Sequence, residues 1–229
     1  MIPLRDENPT RRFPWVTVAL IAANVAMFAY QVSLGPGIVE FVTRWAFVPA
    51  RFFGAPWDPR QWLTVFAAMF MHAGLLHIGG NMLYLWIFGN NVEDRLGRPR
   101  FIGFYLLAGV AATLAQGLVD TGSVIPNLGA SGAVAGVLGG YLLLYPGAAV
   151  LTVIPIFFFI EVARVPAAFV IGFWFVLQLA NGLIALAPGT AQVGGVAWFA
   201  HLGGFAAGAL MMLPVWLSQR RRTGFRAYG

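Results

Sequence analysis

The chain has 229 residues, of which 59% are hydrophobic and only 10% charged, and its mean hydropathy is +0.78. A soluble domain carries roughly a quarter charged residues; this chain cannot clothe a water-facing surface, which argues against a soluble enzyme and excludes disorder. It contains no cysteine and no lysine, all 14 basic residues being arginine, which removes disulfides, thiolate metal sites, a cysteine nucleophile, a pyridoxal Schiff base and a lysine-based nucleotide phosphate loop.

Charges fall in clusters, and the stretches 13–39, 61–92, 101–119, 121–160 and 165–219 hold no Asp, Glu or Arg. A helix crossing the hydrocarbon core needs about 20 mostly apolar residues. The gaps therefore predict spans at Pro14–Leu34, Gly74–Phe88, Phe101–Leu118, Ala130–Tyr145, Ala167–Leu186 and Val196–Leu217. The first follows a charged head, is long enough to cross and lacks a clear small-residue cleavage site, so it reads as a span and not as a signal peptide. Between the first two spans, Gly35–Arg60 carries Phe41, Trp45, Phe47, Phe52, Phe53 and Trp57. This aromatic stretch is expected to lie in the membrane interface with its apolar side chains in lipid.

Ala148–Val162 is apolar but short, has Pro155 near its middle and ends beside Glu161, so it is expected to be re-entrant or interfacial. Arginine counts agree. With six spans, 11 arginines gather on one side and 3 (Arg44, Arg51 and Arg60) on the other. The positive-inside rule then places both termini in the cytoplasm. A seventh span would carry Arg220, Arg221, Arg222 and Arg226 to the opposite side. The expected organisation is a cytoplasmic tail (1–13), one all-α six-span membrane domain (14–217) and a basic cytoplasmic tail (218–229). The net charge of +6 reads as membrane topology, with no nucleic-acid partner and no nucleotide implied.

Polar residues inside spans are costly and need a reason. His77 and Asn81 fall early in the second span, Ser131 opens the fourth and His201 lies early in the sixth. These three spans run in the same direction, so all four residues share one depth below the outer face. Ser131 lies in Gly129-Ala130-Ser131-Gly132; flanking glycines let a substrate backbone approach, and the free amides of the helix start suit an oxyanion. A serine there also reads as a simple N-cap. His77 and Asn81, four apart, share a helical face and form either a pair of oxyanion donors or polar glue between helices. His201 is a general base for the serine or a structural donor. Gly132, Gly136 and Gly140, together with Gly204 and Gly208, form small-residue rows that would bring the fourth and sixth spans together. No HExxH zinc pattern is present, and no carboxylate sits in the middle of a span, so no metal is called for.

His72-x4-His77-x3-Asn81, Gly129-x-Ser131-Gly132 and Ala200-His201-x2-Gly204-x3-Gly208, in that order, resemble the rhomboid family of intramembrane serine proteases. The resemblance implies a six-helix bundle with an interfacial first loop. It makes Ser131 the nucleophile and His201 its base, with His77, Asn81 and the Ser131 amide holding the oxyanion and His72, Gly129, Gly132, Gly204 and Gly208 supporting the site. It further implies transmembrane protein substrates, a lipid bilayer as the medium, no cofactor, and a bacterial plasma membrane with water entering from the outer face. Where some members carry an aromatic that stacks on the histidine, this chain has Ala135, so another residue has to orient His201. Two other readings are a catalytically silent relative that binds client helices and a small transporter.

Overall fold

The structure, a computed structural model, describes residues 1–156, 158–186 and 196–226. The last three residues of the expected C-terminal tail, 227–229, lie outside the described residues. The architecture is a helical membrane bundle with a small sheet at one end. The six expected spans correspond to α1 (Trp15–Ser33), α5 (Leu75–Leu96), α6 (Arg98–Val119), α7 (Ser131–Leu144), α8 (Ala167–Ala185) and α9 (Trp198–Arg226). The helices α2 (Ile38–Trp45), α3 (Pro49–Gly54) and α4 (Pro59–Ala68) fill the stretch between α1 and α5. By length and composition, α1, α6, α8 and Trp198–Arg220 of α9 are each able to cross a membrane.

Helix α7 is the centre. It has only 14 residues, a rise of about 21 Å against a hydrocarbon thickness of about 30 Å. Its shortness is tolerated because protein surrounds it: everything from Gly132 to Tyr141 is buried. The closeness comes from missing side chains. A Cβ on Gly204 would land on the Gly132 carbonyl, one on Gly208 on the Gly136 carbonyl, and one on Gly139 on the Phe205 carbonyl. Helix α6 joins through Ala108 and Ala112, which fill the space beside Gly136 and Gly132. The predicted small-residue rows thus do what their spacing implies.

The stretch 148–162 corrects its expectation in form. It is a β-hairpin, β2 (Ala149–Ile156) and β3 (Phe159–Pro166), completed by β1 (Ile2–Asp6) in the antiparallel order β1-β2-β3. The residues explain it: Val150, Thr152, Val153, Ile154, Ile160, Val162 and Val165 are β-branched and favour a pleated surface. Val150 and Thr152 are buried against the bundle. The N-terminal segment, expected to be a tail, is pinned there. Tyr141 donates to Asp6 Oδ2 (2.8 Å), Arg164 pairs with Glu7 (2.8 Å) and the Asn91 amide donates to the Asn8 carbonyl (2.8 Å). Nearby, buried Glu93 accepts from the Val16 and Thr17 amides and from the Thr17 hydroxyl, capping α1 from α5.

The aromatic first loop also differs from expectation. Phe47 and Phe52 are buried in a cluster with Val65 and Ala68, and Phe47 and Phe53 occupy the space left by Gly117 of α6. Val39 and Trp57 remain exposed. The loop therefore packs in part onto protein, because a glycine on the neighbouring helix makes room for the rings.

Replacing Gly204 by valine should destabilise the fold by about 1–3 kcal/mol or more, since the added carbons meet backbone and not a movable side chain. A thermal melt in detergent checks this; Gly79→Ala, where nothing lies within 4 Å of the new methyl, is the control and should change little.

Candidate functional site

The residues that lead into α7 are tied down from two directions. Phe47 and Asn127 exchange both backbone hydrogen bonds (3.1 and 2.7 Å), and the Gly129 amide donates to the Ala68 carbonyl (2.8 Å). The first-loop helices thus hold the strand-like run that delivers Ser131. Gly129 has φ +135°, a conformation that L side chains rarely adopt, and a Cβ there would also sit 2.8 Å from the His77 ring. Glycine is required at this position on both counts.

Ser131 is the first residue of α7. The N-cap is Ala130, and no side chain caps the helix, so the capping reading of the serine is not met. Ser131 and His201 line one cavity of about 480 Å³, together with His77 and Asn81. Four residues from three helices, distant in sequence, are brought to one hollow. The remaining wall is mostly apolar, with Leu76, Tyr84, Val134, Leu138 and Trp174.

Two side chains able to donate belong to this lining. The Ala73 amide donates to His77 Nδ1 (3.4 Å), which leaves the proton of the neutral ring on Nε2, the edge beside Gly129. The Asn81 Nδ2 is buried and has no hydrogen-bond partner among the described residues. Among the described residues neither side chain bonds to another span, so the helix-glue reading finds no support there.

His72 stands behind this layer. It does not line the cavity; its ring meets His77 edge-on at 5.1 Å. It is almost fully buried, and burial, with a smaller contribution from His77, pushes its pKa down to about 4, so it is neutral at physiological pH. Its backbone is held by Gln31 of α1, whose side chain accepts from the His72 amide (2.9 Å) and donates to its carbonyl (3.3 Å). Gly132, Gly204 and Gly208 act at the α7–α9 contact and do not line the cavity.

Two residues missed in the sequence matter here. Gln116 of α6 accepts from the Phe199 and Ala200 amides (3.0 and 3.2 Å), capping the helix that carries His201. Gln178 of α8 places its Oε1 2.6 Å from His201 Nδ1. The available signal was the one that singled out His77 and Asn81, a polar side chain in an apolar span.

Gly129→Ala should lower the melting temperature, because the substituted residue meets both a disfavoured φ and the His77 ring. Gly147→Ala, with open space around it, should not.

The Rhomboid domain family matches residues 59–218. Among curated relatives, Rhomboid protein 1, mitochondrial, of Saccharomyces cerevisiae is 31% identical over 196 residues, 84% of this chain and 51% of that protein. RHOMBOID-like protein 1 of Arabidopsis thaliana is 27% identical over 226 residues, 87% of this chain and 52% of that protein. Rhomboid protease GluP of Bacillus subtilis is 31% identical over 129 residues, 56% of this chain and 24% of that protein. The chain thus spans about half the length of the first two and about a quarter of the third.

Proposed function

The chain belongs to the rhomboid family, and on that premise we propose that it is an intramembrane serine endopeptidase using Ser131 as nucleophile and His201 as general base. The observation that carries the reading is the meeting of Ser131, His201, His77 and Asn81 in one cavity. His201 takes the Ser131 proton as the oxygen attacks a peptide carbonyl, and an acyl-enzyme forms while the imidazolium protonates the leaving amine. The developing oxyanion is met by the His77 Nε2–H, the Asn81 Nδ2–H and the unpaired amides at the start of α7. Water then resolves the ester, activated by the same histidine.

The substrates are transmembrane proteins cut in or near a membrane-spanning segment, and the apolar cavity wall suits them. A helical substrate has to unwind locally, because its peptide carbonyls are engaged in its own hydrogen bonds; helix-breaking and small residues in the client should speed cleavage. The chain is an integral membrane protein. Its arginine distribution supports a plasma-membrane orientation with both termini in the cytoplasm, which opens the cavity to the outer side.

Ser131→Ala and His201→Ala should each abolish cleavage of a single-span reporter in proteoliposomes. Asn81→Ala should slow it about 10²- to 10³-fold, the typical effect of losing one oxyanion donor. A fluorophosphonate probe should label the wild type and not Ser131→Ala. Undiminished cleavage by the Ser131→Ala protein would overturn the assignment, and a wild type that neither cleaves nor takes label would favour a silent relative that binds client helices.

A further inference from the structure

Helix α8 is apolar along nearly its whole length; within Ala167–Ala185 the only amide side chains are Gln178 and Asn181. Asn181 donates to the Leu177 carbonyl one turn back (2.8 Å) and stays half-buried. Gln178 is buried and aimed inward. A buried amide in a membrane helix is costly unless it finds a partner, and the partner is the His201 ring, 2.6 Å away at Nδ1. One turn earlier on the same face, Trp174 lies beside the same imidazole, 5.7 Å between ring centroids and tilted by 44°.

We infer that Gln178 is the positioning residue for His201. Its Oε1 accepts the Nδ1–H, which fixes the imidazole in one tautomer and one orientation and leaves Nε2 unprotonated for the Ser131 hydroxyl. An amide oxygen can only accept, so the bond selects the Nδ1–H form. Trp174 limits ring tilt from the side. The arrangement has the logic of a nucleophile, a base and an orienter, with a neutral amide where a carboxylate is used elsewhere. The inference deepens the protease reading and rests on it for its kinetic part.

Three measurements test it. Gln178→Leu keeps the volume and removes the acceptor; kcat on the reporter should fall about tenfold to a hundredfold with KM little changed, the sign of an interaction needed in the transition state. Gln178→Glu restores an acceptor oxygen and should recover most of the lost kcat, which a mere packing role would not allow. Nitrogen-15 spectra of imidazole-labelled Ser131→Ala protein should show His201 protonated at Nδ1, and Gln178→Leu in that background should lose the preference. With three histidines in the chain, single substitutions of His72 and His77 assign the signals. Wild-type kcat in Gln178→Leu, equal loss in the Leu and Glu variants, or His201 protonated at Nε2 would each overturn the inference. Should the wild type cut no reporter, the protease reading fails, while the spectra still decide the tautomer. Should Gln178→Leu not fold, the spectrum of the Ser131→Ala protein alone decides it.

Discussion

The backbone-to-backbone contact of α7 with α9 is the constraint on which the rest of the molecule depends. In lipid there is no hydrophobic drive to press helices together, so close packing of small residues has to supply the association. Gly132, Gly136 and Gly139 on α7 face Gly204, Phe205 and Gly208 on α9, and at these points even a single methyl would meet a carbonyl. The same contact places the first residue of α7 and the first turn of α9 at one level. Ser131 and His201 are therefore brought to one cavity by residues that do not line it. The short α7 follows from this: a helix wrapped by protein need not match the thickness of the bilayer.

Three glutamines then convert a packed bundle into a site. Gln31 of α1 grips the His72 backbone, Gln116 of α6 caps α9, and Gln178 of α8 reaches the His201 ring. Each lies in an apolar span and each ties its amide to a segment other than its own. A polar group that would be costly in lipid becomes a directional tie once another segment meets it. The opposite end of the bundle follows the same rule, with Glu93 binding the start of α1 and Asp6 held by Tyr141.

Much of this was legible in the chain. Gaps free of charge located α1, α5, α6, α7, α8 and α9 to within a few residues, except that α5 and α9 run on past the charged residues that bound their gaps. Helices satisfy their own backbone groups, so a few Glu, Asp or Arg at a membrane boundary do not end them. The motif residues His77, Asn81, Ser131 and His201 stood out because polarity is rare in apolar runs, and they do share one cavity. The hairpin at 149–166 was less legible. A short apolar run carries no periodicity that separates strand from re-entrant helix, and its pairing with Ile2–Asp6 joins segments almost 150 residues apart.

What the sequence by itself determined is the medium, the helices of the bundle and the polar side chains that share its cavity, because composition and charge spacing act locally and need no partner. What only the tertiary structure decided is which polar groups meet. Gln116 and Gln178 read from the chain as two more amides, and Phe47 as a ring bound for lipid. Their roles are set by what lies across from them, the open amides of α9, the Nδ1 of His201 and the gap at Gly117. Contacts of that kind arise from helix packing over long sequence separations, and no local pattern records them.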